Sequence, residues 1–333
     1  MIRSLLIFGT LGLASGSAYA AAFEPKTMRD TLAAREVERP LILGKGWLEL
    51  GLGADVKQAT GYWSPDGEPV DFTDATWLWT TQTLAIRYGV SRRGELYWNF
   101  RTHYAQLNNP TMGTSIADFG LGDPNFGFKL ELLRGLNNSL IGFIDYKAPA
   151  GNEAPGNYAG QANSFTAVVM STGTPDLSVG VGYKQRLGPA ALTVEAAHVR
   201  RFSNVVQYLV ETTNNQYNAR IKPGDISRLS ADLMVQLGPV APHVEAVVAV
   251  RQVTATGQTS GDFFGDRNLV DVEGSDGWSL DLTPGAVINI NRAVDLDLAA
   301  SVPVRGEDLQ FFPIEDLQPT RGLTFKAAVE LRY

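Results

Sequence analysis

Charged and polar side chains alternate with apolar ones along several segments of the chain. In the segment 226–237, Arg228 and Asp232 alternate with Leu229 and Leu233. Alternate side chains of a β-strand lie on one face, so the full charges would share one surface and the apolar groups the opposite one. Acids and bases are nearly equal in number on these charged faces. Such a surface can form ion pairs or bind the charged groups of a solute.

The segments that carry these faces follow a regular order from about Lys45 to Tyr333. Twelve short amphipathic segments are separated by gaps that alternate between long and short. The short gaps contain Gly, Pro and Asn, as tight hairpins require. An even strand number, with tight turns at one end and long loops at the other, is typical of transmembrane β-barrels. The sequence therefore predicts an all-β fold, an antiparallel up-and-down transmembrane barrel of about twelve strands over residues 45–333.

Three alternatives to this fold remain open at the level of sequence. A barrel of fourteen strands has the same pattern with one more hairpin. A water-soluble β-sandwich and a lipocalin-like calyx also show alternation of polar and apolar residues. The stretch 165–171 could be a further strand, but it would make the total odd, and parity disfavours it.

The predicted strands and loops divide the chain as follows. The strands cover 46–56, 76–90, 95–106, 120–133, 139–148, 176–187, 190–202, 226–237, 241–254, 278–290, 293–305 and 322–333. The long connections are 57–75, 107–119, 149–175, 203–225, 255–277 and 306–321.

The apolar strand faces are expected to contact lipid, because a charge there costs about 2–4 kcal/mol at the bilayer midplane. The charged faces then line the lumen. A strongly ion-selective pore would favour one sign, so balanced signs predict ion pairs across the lumen that narrow the bore. The alternative is that these charges only solvate and brace the interior. The predicted constriction consists of inward residues near mid-strand: Arg101, Lys129, Asp145, Arg186, Arg228, Asp232 and Glu245.

Composition limits the class of protein. Hydrophobic residues make up 44% of the chain and aromatic residues 10%, yet no stretch approaches the roughly 18 consecutive apolar residues of a membrane-spanning helix. The chain has no cysteine, so disulfides do not stabilise it. The net charge of −7 argues against a nucleic-acid partner, which would call for a basic patch.

Residues 1–20 have the pattern of a secretory signal peptide. Arg3 supplies a positive charge ahead of a short apolar stretch, and Ala18-Tyr19-Ala20 has the small-x-small form of a cleavage site. We expect cleavage after Ala20, with Ala22 as the alternative. Residues 21–44 are predicted to form a periplasmic tail or short helix. The alternative is a plug that enters the barrel from below.

The histidines could act as general bases in an enzyme. The outer-membrane phospholipases resemble this chain in strand number, and in that family a His and a Ser two residues apart both face lipid. The three histidines are His103, His198 and His243. The residues two positions after them are Ala105, Arg200 and Glu245, so that motif is not matched. A His–Asp pair of the kind that outer-membrane proteases use would have to combine His103 with Asp118. Neither HExxH nor CxxC occurs, and we expect no catalytic residues, no metal and no cofactor.

Two segments resemble a known bacterial family. Gly120–Leu130 (GLGDPNFGFKL) and Arg39–Leu50 (RPLILGKGWLEL) are similar to stretches of the outer-membrane barrels linked to the meta-pathway of phenol degradation. The layout from about residue 40 to the end is similar too. The resemblance implies a channel for small, partly hydrophobic or aromatic compounds, and it supplies no site residues.

The sequence thus favours a porin-like channel in the outer membrane of a Gram-negative bacterium, for passive uptake or export of small organic molecules. The expected partners are membrane lipid, lipopolysaccharide, the solutes themselves, and the barrel-insertion machinery, which would read the last strand ending at Tyr333. A barrel with a closed lumen that docks a partner through its outer loops is the second hypothesis, and an outer-membrane hydrolase is the third.

Overall fold

The computed structural model describes residues 36–72, 76–109, 114–150, 171, 173–210, 215–237, 243–254, 257–259, 269–271, 276–291, 293–307 and 321–333. Its strands are, in chain order, β1 (Leu48–Trp63), β2 (Pro69–Asp71), β3 (Thr76–Ser91), β4 (Gly94–Asn109), β5 (Thr114–Leu121), β6 (Asn125–Arg134), β7 (Asn138–Lys147), β8 (Asp176–Leu187), β9 (Ala190–Arg201), β10 (Asn204–Val210), β11 (Asn215–Lys222), β12 (Ile226–Gln236), β13 (His243–Val253), β14 (Gly257–Thr259), β15 (Leu269–Asp271), β16 (Gly277–Asn291), β17 (Val294–Glu307) and β18 (Arg321–Arg332).

Twelve of these strands form a closed antiparallel ring in the order β1-β3-β4-β6-β7-β8-β9-β12-β13-β16-β17-β18. β18 pairs back onto β1, with Glu49 opposite Arg332 and Val56 opposite Phe325. At the end of this seam the backbones of Leu48 and Tyr333 exchange hydrogen bonds of 3.0 and 2.8 Å. β2 and β5 only extend the pairing of β1 and β4. The predicted twelve-stranded barrel is therefore confirmed, and the alternative of fourteen ring strands is wrong.

The two ends of the ring differ, as the spacing of the strands predicts. The tight turns lie at one end, which we call the short-turn end, together with Leu48 and Tyr333. The other end carries the long connections, and we call it the long-loop end. The long connections 203–225 and 255–277, expected to be loops, contain strands that form a second sheet in the order β10-β11-β14-β15. The sequence of β10, NVVQYLV, is rich in residues that favour strands.

One predicted ring strand, 120–133, is divided in the structure. β5 pairs with the part of β4 nearer the long-loop end, whereas β6 pairs with the part nearer the short-turn end. Pro124 lies between them and has no N–H to donate to the ladder. The Gly122 N–H still reaches the Arg101 carbonyl at 3.0 Å, and the Pro124 carbonyl accepts from Ala148 N–H at 2.9 Å. Of the possible extra strand at 165–171, only Ser171 is within the described residues.

Large apolar side chains cover the outside of the ring. Leu52, Leu233 and Phe325 are 54%, 45% and 57% exposed. On the inside, Glu49 and Glu95 are 3% and 0% exposed although both are charged. This is the reverse of a water-soluble protein, in which apolar groups are buried and charges are exposed. The prediction that the apolar strand faces lie outside the barrel and the charged faces line the lumen is confirmed.

A 3₁₀ turn at Glu36–Glu38 precedes β1. No helix among the residues with assigned structure combines the length and the apolar character needed to cross a membrane.

Candidate functional site in the barrel lumen

A chain of buried ion pairs lines the lumen at the short-turn end. Arg87 donates two hydrogen bonds of 2.9 Å to Glu95 and a third, of 2.5 Å, to Glu49. Arg332 in turn bonds to both Glu49 and Asp295. The three carboxylates and Arg332 are almost fully buried. Each carboxylate needs its guanidinium, because removing one member of a buried pair leaves an uncompensated charge and costs about 3–5 kcal/mol.

The residues that precede β1 lie inside this mouth. Val37 packs against Ala191, Met234 and Val287, which belong to β9, β12 and β16. The Arg39 side chain donates a 2.5 Å hydrogen bond to Asp295. These contacts hold the first described residues of the chain against one side of the lumen wall.

The same segment then reaches the opposite wall. The Leu43 N–H donates a 2.6 Å hydrogen bond to Glu95 on β4. Gly46 N–H donates to the Gly89 carbonyl on β3 at 2.6 Å. A Cβ on Gly89 would lie 1.9 Å from the Gly44 carbonyl oxygen, so this close approach requires glycine. Since β3 and β12 lie on opposite sides of the twelve-strand ring, residues 37–44 cross the lumen. We call them the crossing segment.

A second cluster of lumen residues surrounds Tyr97. Its hydroxyl donates a 3.3 Å hydrogen bond to Asp145, and the Lys129 amine lies 5.2 Å from its ring centroid. The ring covers Gly127, where an added Cβ would come within 2.1 Å of the Tyr97 Cζ atom. Glu195, on β9, interacts electrostatically with Lys129, Asp145 and Arg228. The charges of β6, β7, β9 and β12 therefore act on one another through the lumen.

Nearer the long-loop end the lumen contains a cavity of about 390 Å³. Acidic, basic and hydroxyl side chains line it in similar numbers, beside the aromatic Trp79. The charged lining residues are Asp55, Lys57, Glu195, Arg228, Asp281 and Lys326, and the hydroxyl-bearing ones are Thr81, Ser230, Ser279, Ser301 and Thr324. Three acidic and three basic side chains thus surround one polar space.

The seven residues of the predicted constriction are distributed along the lumen and do not form one ring. Lys129 and Asp145 contact Tyr97, and Arg228 lines the cavity. Arg186 lies at the short-turn end, 3.0 Å from Glu38. By strand register Arg101 is opposite Thr83, Asp232 is opposite Thr193, and Glu245 is opposite Met234 and Gly285. Only the register position of Glu245 is described.

The sequence did not place Arg39 in this site, and it did not distinguish Arg87 and Glu195 within it. Arg39 lies outside every predicted strand, so alternation could not place it. Arg87 and Glu195 lie on predicted inward faces, but nothing local distinguishes them from the other lumen charges. Only the paths of β3, β4 and β9 around the ring show which opposite charges they meet.

The side chains of two histidines, His103 and His198, are described, and they occupy different environments. His103 is buried, its Nδ1 atom lies 3.0 Å from the Thr81 hydroxyl, and its ring lies 5.3 Å from that of Trp79. His198 is exposed on the outer face, where its Nδ1 atom lies 3.1 Å from the Ser227 hydroxyl of the next strand. The spacing of two residues concerns positions along one strand, whereas Ser227 lies on the neighbouring strand. Among the described side chains, no carboxylate or amide is bonded to His198.

A buried ionic cluster braces the wall beside the strand break at the long-loop end. Lys147 lies 2.7 Å from Asp176 and 3.6 Å from Asp123. Ser171 donates a 2.6 Å hydrogen bond to Asp123. The Arg201 guanidinium lies 3.6 Å from Asp176. These contacts join the break between β5 and β6 to β7, β8 and β9.

Asp225 fixes the start of β12, outside the strands. Its carboxylate accepts a 2.9 Å hydrogen bond from the Arg201 N–H and one of 2.6 Å from Arg200. Burial opposes ionisation, but the Arg201 N–H and the charges of Lys222 and Arg200 outweigh it and hold the pKa of Asp225 below its usual range. The ionised form is therefore the one that anchors this corner.

A closed ring with an apolar exterior, a charged interior and long loops at one end defines the outer-membrane class of β-barrel. No family model and no curated protein matches the chain. Among solved structures, an outer-membrane channel from Pseudomonas putida has a TM-score of 0.65 at 12% identity, over 90% of this chain and 99% of that one. The translocator domain of the autotransporter NalP from Neisseria meningitidis has a TM-score of 0.50 at 10% identity, over 87% and 90%. These similarities show the fold.

Proposed function

We propose that this protein is a channel in the outer membrane of a Gram-negative bacterium and lets small organic molecules diffuse through its lumen. The observation that carries the proposal is a polar cavity of about 390 Å³ inside a closed barrel whose exterior is apolar. An apolar belt suits lipid, whereas an interior with both charges suits water and polar solutes. The shared fold with a channel from P. putida is consistent with this function.

The solute class follows from the sequence resemblance to barrels linked to phenol degradation. On that basis we propose small, partly aromatic organic molecules as the solutes. Transport would be passive and would be shaped by the lumen charges. Of the seven predicted constriction residues, Lys129, Asp145 and Arg228 have contacts that support such a role, through Tyr97, Glu195 and the cavity.

The crossing segment is the main obstacle on this path. A solute that has left the cavity must pass residues 37–44, either beside them or after they move. The ion pair of Arg39 with Asp295 and the hydrogen bond from the Leu43 N–H to Glu95 hold the segment in place. The same observation favours the second hypothesis, a barrel with a closed lumen that docks a partner through its outer loops and the sheet β10-β11-β14-β15.

A conductance measurement separates these two functions. The purified chain would be inserted into planar bilayers and into liposomes, and compared with the double variant Arg228→Ala and Asp232→Ala. The channel hypothesis predicts ion current in the wild type and an altered current in the double variant. Leu233→Ala, on the lipid-facing side of the same strand, is the matched control and should leave the current unchanged. Zero conductance together with zero solute flux would support the closed barrel instead.

A hydrolase is the third candidate, and the contact between His198 and Ser227 on the outer face is the observation that favours it. A serine nucleophile needs a base that a third group orients. We therefore expect no release of fatty acid from phospholipid vesicles above the level of the Ser227→Ala variant. Hydrolysis that depends on Ser227 would establish the enzyme.

The remaining proposals concern targeting and assembly. Residues 1–20 would be a signal peptide that is removed, and 21–44 would be a periplasmic tail or, as the contacts of the crossing segment favour, a plug that enters the barrel from below. The last strand, which ends next to Tyr333, would be the segment that the barrel-insertion machinery reads. The apolar belt would contact membrane lipid, and the long-loop end would contact lipopolysaccharide.

A further inference from the structure

The charges around the cavity follow an order that alternation alone does not predict. Four consecutive ring strands, β9, β12, β13 and β16, present one register row of Glu195, Ser230, Ala249 and Asp281. All four positions line the cavity. The row therefore has an acid at each end and two small residues between them. With strands about 4.8 Å apart, the two acids are separated by three strand spacings, or about 14 Å.

The next row towards the long-loop end carries the opposite charge at its centre. It consists of Ala197, Arg228, Arg251 and Ser279. Arg228 and Arg251 occupy directly opposite register positions on neighbouring strands. Arg228 is exposed and lines the cavity, so its guanidinium can bind an anion there.

Three of the charged residues that line the cavity are accessible to solvent although they face the lumen. Glu195, Arg228 and Lys326 are exposed, whereas Glu49, Glu95 and Asp295 at the short-turn end are almost fully buried. The buried carboxylates at the short-turn end form ion pairs that stabilise the barrel wall. The exposed charges of the cavity are accessible from the lumen, and they can bind the charged groups of a solute.

We propose that the cavity is a binding site for small zwitterions, solutes that carry a carboxylate and an ammonium group on one short skeleton. The carboxylate of the solute lies at Arg228, and its ammonium lies at Glu195 or Asp281, one row away. The backbones of two neighbouring rows on one strand face are about 7 Å apart. Long side chains from the two rows can lean towards each other, so that one contacts the carboxylate and the other the ammonium of the same α-amino acid. This inference rests on the proposed channel function and names the solute class.

The polar lining also decides what the site rejects. An uncharged apolar solute would displace water from six charged side chains and give no hydrogen bond in return, which is unfavourable. A solute with only one charge would pair with the charged side chains of one row and would remove water from those of the other row without pairing with them. A cavity of about 390 Å³ lies in the range of small-molecule sites and leaves room for an aromatic ring.

Four ligands that share a phenyl group test this inference by isothermal titration calorimetry on the detergent-solubilised chain. Phenylalanine carries both charges, 3-phenylpropanoate only the negative one and 2-phenylethylamine only the positive one. The fourth ligand, 2-phenylethanol, is uncharged. Phenylalanine should bind at least about tenfold more tightly than the other three, a difference of roughly 1.4 kcal/mol. Equal affinities, or tightest binding of 2-phenylethanol, would overturn the proposal.

Variants locate the binding. Arg228→Gln should weaken phenylalanine and 3-phenylpropanoate about tenfold and leave 2-phenylethylamine unchanged, while Arg228→Lys should retain most of the affinity. Asp281→Asn should weaken phenylalanine and 2-phenylethylamine instead. Arg134→Gln, at the short-turn end and outside the cavity, is the matched control. A shift of electrophoretic mobility on heating shows that each variant is folded, and an equal loss in Arg134→Gln would contradict the assignment.

Solute flux separates this inference from the channel hypothesis. If liposomes that contain the protein admit all four solutes at equal rates, the channel stands and zwitterion selectivity is wrong. If they admit none of them and conduct no ions, the channel function itself is wrong.

Discussion

The Arg39 guanidinium lies 2.5 Å from the Asp295 carboxylate, 256 positions further along the chain. This contact joins a residue that precedes the first strand to β17, the strand before the last. Asp295 also accepts hydrogen bonds from Arg332 and Asn289. The crossing segment therefore meets three consecutive ring strands, β16, β17 and β18, at one buried carboxylate, and it is fixed to the barrel there.

Arg39→Ala should loosen the crossing segment without unfolding the barrel. Asp295 keeps Arg332 and Asn289 as donors, so no buried charge is left unpaired. A hydrogen bond between charged groups contributes about 1.5–3 kcal/mol, and its loss shifts the docking equilibrium roughly ten- to a hundredfold. Single-channel recordings should show higher or more frequent conductance. A current identical to that of the wild type would show that the segment does not control the path.

Gly127→Ala should destabilise the lumen wall, because its Cβ would come within 2.1 Å of the Tyr97 ring. Such overpacking lowers the free energy of unfolding by about 1–3 kcal/mol. The loss would be seen as a lower midpoint of urea unfolding in lipid vesicles. Gly53→Ala is the matched control, since the nearest atom to its Cβ is 3.6 Å away. The double variant with Tyr97→Ala should recover much of the loss. Equal midpoints for the two glycine variants would contradict this packing.

Asp225 should make the long-loop end sensitive to acid. Its pKa is lowered in the folded state, so its contribution is fully present above the unfolded value of about 3.9. It is lost as the pH falls further, through the folded pKa. Asp225→Asn should therefore lower thermal stability at pH 7, and the difference from the wild type should shrink as the pH falls below about 4 and vanish only below the folded pKa. A difference that persists unchanged at low pH would show that ionisation of Asp225 is not responsible.

The sequence was sufficient for everything that depends on two-residue alternation. The strand faces, illustrated by Arg228 inside and Leu233 outside, and the number of ring strands follow from local patterning and turn spacing. Pro124 can be read in the sequence, but the strand break that it causes cannot, because the break depends on which parts of β4 pair with β5 and with β6. The path of Arg39 across the lumen was not predictable, since a charge outside the strands has no periodicity to place it.

The arrangement of the cavity residues could not be predicted from alternation either. Alternation placed Glu195 and Asp281 inside the barrel, yet their position in one register row depends on the pairing of β9, β12, β13 and β16. Strand register is a property of turns and neighbours and not of one strand. Charges on the inward face could therefore be predicted, but not the arrangement that makes them a site.

Conductance after thiol modification at two adjacent positions tests the central claim most directly. The chain has no cysteine, so Ser230→Cys and Ala231→Cys each introduce the sole thiol, the first in the cavity and the second on the lipid side. A charged, membrane-impermeant thiol reagent added to open channels should change the current of Ser230→Cys and leave that of Ala231→Cys unchanged. Equal responses at both positions, or no current in either, would contradict a solute path through the lumen of this barrel.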